Sequence, residues 1–262
     1  MMFSMEKNAI VTGSSSGIGK SIAERLMAEG YNVLMNGIEP NEDFFAYCEE
    51  KAIEYSVKVK YLQADMSDFK DIERFFLYAK AHLGNISLLV NNAGIQHVET
   101  ITTFPDEMWQ KVININLSSA FKLTKLVLED FIENKFGTIV NIASAHALVA
   151  SPYKSAYVAA KHGLLGFTKT TALEFADQNI TANCICPGYV RTPLVEKQIP
   201  ETAKARNITE DEVIKDVLLK AQPTKKFVDV EEIAEMVVFL GSDKARSITG
   251  AAIQLDGGWT AQ

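Results

Sequence analysis

Ser144, Tyr157 and Lys161 are the residues whose types and spacing could move a proton. Tyr157 and Lys161 stand four apart in S-A-Y-V-A-A-K over 155–161, a segment with helical periodicity, and residues i and i+4 share a helix face. An ammonium beside a phenol stabilises the phenolate and draws its pKa down from roughly 10. A phenol tuned in this way exchanges a proton with an alcohol or a carbonyl oxygen, which is general acid–base catalysis. Ser144 ends the apolar run G-T-I-V-N-I-A-S over 137–144, which reads as a buried strand. In a parallel sheet its hydroxyl would lie at the carboxyl edge, where ligands bind. A tyrosine and a lysine at this spacing also occur by chance on ordinary helices, so the rest of the chain must decide.

A second constellation lies near the N-terminus. A short strand over 7–12 runs into T-G-S-S-S-G-I-G over 12–19, and an amphipathic helix follows over 18–29. Strand, glycine-rich turn and helix together aim backbone N–H groups and a helix dipole at a pyrophosphate. Gly13 permits the tight turn, Gly17 the approach of phosphate, and Gly19 the packing of helix on sheet. Ser15, Ser16 and Ile18 complete the expected cofactor contacts of this loop.

Strand and helix signals alternate along the remaining sequence. Strands are expected over 31–36, 57–64, 87–91, 137–144, 181–186 and 251–255. Helices are expected over 43–55, 69–82, 105–134, 155–176 and 230–240. Each gap between strands is long enough for a helical crossover, so the sheet should be parallel, with helices on both faces. The expectation is a single-domain, doubly wound α/β fold of the Rossmann type over 1–262. The stretch 190–227 breaks the pattern: it is charged, holds Pro193, Pro200 and Pro223, and carries short helical signals at 194–198 and 210–219. A connection of that length is usually functional, and it reads as a lid over the substrate.

Composition fits this picture. The 262 residues are 47% hydrophobic and 23% charged, as in ordinary globular proteins. A net charge of −7 argues against nucleic-acid or anionic-membrane partners. No apolar run reaches the length of a membrane span, and 1–6 is too short and polar for a secretory signal. Cys184 and Cys186 alternate along a strand and Cys48 stands apart, so buried thiols in a reducing cytoplasm are expected, with no metal site.

The motifs together resemble the short-chain dehydrogenase/reductase family nearly end to end. The matching segments are T-G-x-x-x-G-I-G at 12–19, N-N-A-G at 91–94, Asn116 in I-N-I-N-L, Ser144, Tyr157 with Lys161, and P-G-Y-V-R-T-P at 187–193. The resemblance implies seven strands, a nicotinamide cofactor, a homotetramer, and Asn116, Ser144, Tyr157 and Lys161 as the catalytic set. It also implies cofactor contacts from Asp65 and Met66 near the adenine, and from Asn92, Ala93 and Gly94. Around the nicotinamide it implies Pro187, Gly188, Val190 and Thr192, with Tyr157 and Lys161 reaching the ribose. Asp65 has a plainer alternative as a turn or helix-cap carboxylate.

The usual acidic residue that bonds the adenosine ribose is missing, because the second strand ends L-M-N-G-I-E over 34–39. Asn36 is the expected substitute. Neither 14–16 nor 37–40 offers an arginine or lysine for a 2′-phosphate, so NAD is expected over NADP.

Gln96, His146, Lys154 and Gln198 flank the catalytic motifs, and all can donate hydrogen bonds. That set suits a small carboxylate, with the lysine neutralising a charge that is expensive to bury. The segments 91–98, 143–146, 153–157 and 193–199 resemble those members of the family that oxidise (R)-3-hydroxybutyrate to acetoacetate. Tyr189 departs from the tryptophan frequent there and is expected at the acyl end of the substrate. The alternatives are an NADPH-dependent 3-oxoacyl-carrier-protein reductase and a non-catalytic, cofactor-binding regulatory protein.

Overall fold

The computed structural model describes residues 7–261; residues 1–6 and 262 lie outside them. Seven strands form one parallel sheet: β1 (Asn8–Val11), β2 (Asn32–Gly37), β3 (Val59–Gln63), β4 (Leu88–Asn91), β5 (Gly137–Ile142), β6 (Ile180–Pro187) and β7 (Ala252–Leu255). Their spatial order is β3-β2-β1-β4-β5-β6-β7. The order reverses between β1 and β4, which opens a crevice at the carboxyl ends of those strands. The doubly wound sheet read from the sequence is therefore the observed one.

Side chains alternate across the sheet with a period of two. Ala9, Val11, Val33, Met35, Leu88 and Val90 pack on one face, against α1 (Gly17–Ala28) and α9 (Val230–Gly241). Ile10, Leu34, Leu89 and Ile139 point to the other. There they meet Phe75 of α3 (Phe69–Leu83) and Val127 and Phe131 of α5 (Ser119–Asn134). The remaining crossovers are α2 (Glu42–Tyr55), α4 (Asp106–Ile113) and α6 (Ser155–Phe175).

Two elements differ from expectation. The single helix read over 105–134 is interrupted, because α4 and α5 are joined by a π-helical turn, Asn114–Ser118. The side-chain amide of Asn116 donates there to the Ile95 carbonyl at 2.9 Å, a tertiary contact that no periodicity announces. In the 190–227 stretch the first helix is longer than read. α7 spans Pro193–Arg206, with Pro200 inside it. Thr192 caps its N-terminus, and Val195 and Ile199 anchor it in a small apolar cluster with Tyr189. That packing outweighs the hydrogen bond a proline removes. A second helical run, α8, covers 210–221 with a π-helical stretch in its middle. Val190 and Val228 bridge in parallel, so the excursion leaves the sheet and returns to the same place.

Candidate active site

A cleft of about 310 Å³ lies over the carboxyl ends of the strands, walled on one side by the start of α7. Its cofactor half is built by the turn between β1 and α1. Gly13 has φ +59° and Gly17 φ +54°, backbone that glycine adopts without strain. A Cβ on Gly13 would also stand only 2.8 Å from the Ala93 Cα. Thr12 Oγ1 accepts from the backbone N–H groups of Asn92 and Ala93, both at 3.0 Å. The Asn92 amide donates to the carbonyls of Thr12 (3.0 Å) and Gly13 (2.9 Å). Ser15, Ser16, Ile18 and Gly94 line the cleft, together with Asp65, Met66, Pro187, Gly188, Val190 and Thr192.

Gly19 has the close-packing role expected of it, since a Cβ there would overlap Gly13 O and the Asn92 amide and keep helix and turn apart. One cofactor expectation needs correction. Asn36 is 1% exposed. Its amide accepts from Gly13 N at 3.1 Å and donates to Ala64 O at 3.0 Å, so it holds the loop and is not free for a ribose. Asp65 lines the cleft and is also a turn carboxylate, its Oδ1 accepting from the backbone and hydroxyl of Ser67 at 2.8 Å each.

The opposite half gathers Asn116, Ser144, Tyr157 and Lys161 with Gln96, His146, Lys154, Tyr189 and Gln198. Ser144 caps a short turn after β5, and its Oγ accepts from His146 N at 3.1 Å. One turn of α6 separates Tyr157 from Lys161, whose ammonium stands 5.5 Å from the tyrosine ring centre. That ammonium donates to the Ile142 carbonyl at 2.8 Å. The chain's own groups do not produce the expected depression of the Tyr157 pKa. Burial pushes the phenol up to about 12, with a hydrogen bond to Ser144 pulling it partly back. Burial also lowers Lys161 to about 8. A dry pocket penalises both charged forms, so proximity alone does not make a phenolate.

Several polar groups here lack partners. Asn116 donates to Ile95 O and Val112 O, both at 2.9 Å, but its Oδ1 is buried and unbonded. The Gln96 amide nitrogen is likewise buried without an acceptor. Lys154, immediately before α6, is 5% exposed. It donates to Tyr189 Oη and Gln198 Oε1, each at 3.3 Å, and forms no ion pair among the described residues. Burial, then the nearby Arg206, lowers Lys154 to about 7. His146 bonds Ser151 Oγ through Nε2 at 3.0 Å. Burial, then the charge of Lys154, takes His146 down to about 3, so it is neutral near pH 7.

Comparison with known proteins agrees with this geometry. The family model described as short chain dehydrogenase matches residues 7–203. The D-beta-hydroxybutyrate dehydrogenase of Rhizobium meliloti is 49% identical over 258 residues, spanning 98% of this chain and 100% of its own. The protein of the same name from Cupriavidus necator is 47% identical, spanning 98% of each chain.

The chain belongs to the short-chain dehydrogenase family.

It is an oxidoreductase of that family, and the cleft is a dinucleotide site of the family's kind. A crystal structure of an actinorhodin polyketide ketoreductase variant with NADPH matches this fold at TM-score 0.91 and 32% identity, over 98% of both chains. Among these short-chain dehydrogenases the glycine loop and the tyrosine–lysine pair are legible in sequence, but two other residues here are not. Trp259, near the C-terminus, lines the cleft and stacks on Tyr189, with ring centres 5.1 Å apart and planes at 15°. It also meets the His146 ring edge-on at 5.0 Å. Asp256 holds it there by accepting from the backbone N–H groups of Gly258 and Thr260 at 2.9 Å each. Arg206, the last residue of α7, lies 5.5 Å from the Tyr153 ring, and its Nε is buried without an acceptor. Only the glycine pair before Trp259 hinted at a turn; nothing local marked Arg206.

Proposed function

We propose that this chain oxidises (R)-3-hydroxybutyrate to acetoacetate with NAD, reversibly. The observation that carries the reading is Lys154, a cation enclosed in the cleft with no carboxylate of its own. A buried charge without a partner is costly unless a ligand supplies the partner. The unbonded Gln96 amide nitrogen adds a donor in the same cleft, and neutral His146, in contact with the Ser144 and Ser151 hydroxyls, has one ring N–H, a set that fits a small carboxylate. The glycine loop and the unobstructed start of α1 fit a dinucleotide pyrophosphate. The absence of arginine and lysine from 14–16 and 37–40 supports NAD over NADP. The names of the two relatives point to the same substrate.

In this reading Tyr157, as phenolate, takes the proton of the C3 hydroxyl, and Ser144 holds the same oxygen through its own hydroxyl. A bound nicotinamide would supply the hydride acceptor for C3 and a positive charge. The Lys161 ammonium would act together with that charge to favour the phenolate that burial alone disfavours. Asn116 Oδ1, buried and unbonded, is placed to accept from a water in the proton path. Lys154, Gln96, His146 and Gln198 hold the carboxylate, while Tyr189 and Trp259 form an aromatic wall for the methyl end. The 190–227 excursion acts as the lid, its helix α7 bringing Gln198 to Lys154. The reading includes a homotetramer by family likeness, and a reducing cytoplasm that suits three buried free cysteines.

The test is nucleotide reduction by the purified chain with a panel of 2-, 3- and 4-hydroxy acids and their methyl esters, with NAD and NADP. The reverse direction adds acetoacetate and a 3-oxoacyl thioester. Preference for the free 3-hydroxy acid supports the reading; preference for the thioester with NADPH would replace it with a carrier-protein reductase. No turnover with any pair would favour a regulatory cofactor-binding protein.

A further inference from the structure

β2 ends at Asn36 and Gly37 with no carboxylate in the place where the ribose bond is usually made, and Asn36 is turned inward. The structure brings a carboxylate to that place from further along the chain. Glu39 folds back over Gly37. A Cβ built on Gly37 would overlap Glu39 Oε2 and stand 2.6 Å from Tyr61 Oη and 2.7 Å from Ser15 Oγ. Three polar atoms from three segments thus converge beside Gly37, and Gly37 and Ser15 both line the cleft.

The carboxylate is held in position. Tyr61 Oη, on β3, donates to Glu39 O at 2.9 Å, with Oε2 a longer contact at 3.4 Å. The Tyr61 ring is fixed by stacking on Phe44, with centres 4.2 Å apart and planes at 11°. Burial, then the charge of Glu39, pushes the Tyr61 phenol upward, so it stays a protonated donor. Glu39 itself is half-buried and enters no ion pair among the described residues. No cation offsets it, and its Oε2 lies beside Gly37, near the Ser15 hydroxyl, two residues that line the cleft.

We infer that Glu39, presented two residues beyond the end of β2 and steadied by Tyr61, selects the cofactor. It accepts a hydrogen bond from the adenosine 2′-hydroxyl and repels a 2′-phosphate. The inference rests on the NAD reading above and names the residue that produces it. Gly37 is part of the device, because any side chain there would displace the carboxylate.

The experiment titrates NADH and NADPH into the substrate-free protein by nucleotide fluorescence, which needs no turnover. NADH lacking the adenosine 2′-hydroxyl is the third probe. The parent should prefer NADH by at least about tenfold, the discrimination that about 1.4 kcal/mol supplies. Glu39→Gln, nearly isosteric, should narrow the NADH:NADPH ratio by about tenfold or more at unchanged melting temperature. Glu39→Ala should bind NADH and the deoxy probe equally, where the parent prefers NADH severalfold. Tyr61→Phe should lose part of the same discrimination. A folded Glu39→Gln with the parent's ratio, or a Glu39→Ala that still rejects the deoxy probe, would overturn the inference. A parent that prefers NADPH would instead defeat the NAD reading, and the two failures are thereby distinguished.

Discussion

The two halves of the cleft use buried polar groups in opposite ways. On the cofactor side, Thr12, Ser14, Asn36 and Asn92 are all hydrogen-bonded, and their partners are backbone groups of the turn and strands. These side chains make shape, leaving backbone N–H groups and the helix end to meet the ligand. On the substrate side, Lys154 has no counter-ion, and the Gln96 amide nitrogen, Asn116 Oδ1 and Arg206 Nε have no partners. Native proteins satisfy nearly all buried polar atoms, so a cluster of exceptions marks the place where something else must supply them. One half is preorganised by completeness and the other by what it lacks.

The largest expected effect separates chemistry from binding. Tyr157→Phe removes the proton acceptor and little volume, so kcat should fall by about 10²–10⁴ while the Kd for NADH stays within about threefold of the parent. Activity within about tenfold of the parent would take Tyr157 out of that role.

Next in size is the unpaired cation. Lys154→Met should weaken 3-hydroxybutyrate by about 2–5 kcal/mol in kcat/KM and leave its methyl ester unaffected. Equal losses on acid and ester would mean that Lys154 supports geometry instead. Arg206→Gln should show the same selectivity at smaller amplitude, since Arg206 does not line the cleft and is half-exposed.

Stability offers a sharper contrast between the halves. Asn36→Ala strips partners from buried backbone groups and should cost about 1–3 kcal/mol in chemical denaturation. Lys154→Met removes a buried charge without a partner, so the ligand-free protein should be no less stable than the parent. If both variants destabilised alike, the distinction between a completed half and an open half would fail.

The smallest effect is a pH slope. Lys154 must be charged to hold a carboxylate, and in the free protein it lies at about 7. The cation is present below that pH and is lost as pH rises through it. KM for the hydroxy acid should then climb by up to about tenfold per pH unit above 7, while the Kd for NADH stays flat. Lys154→Arg, which keeps its charge, should flatten the slope; an unchanged slope would assign it to another group.

What the sequence determined by itself is what depends on local chemistry and period. The strands and the crossover helices α1, α2, α3, α6 and α9 follow from short apolar runs and from helical spacing, and family likeness supplied the count of seven strands. Gly13 and Gly17 announced a turn, since glycine enters the left-handed region without strain, and the four-residue step from Tyr157 to Lys161 fixed a shared helix face. The tertiary structure decided everything that depends on who meets whom. The 114–118 turn looks helical in sequence, but the Asn116 amide bonds both the Val112 carbonyl four residues back and the Ile95 carbonyl of another segment, which periodicity does not announce. The length of α7 is set by Val195 and Ile199 packing beneath Tyr189, which Pro200 concealed. Trp259 reaches the cleft, and Arg206 lies close enough to act on Lys154, from more than forty positions beyond Lys161, carrying no motif. The direction of the Tyr157 shift reversed for the same reason. Sequence spacing gives the distance between two groups along a helix, but desolvation is set by every element that closes over them.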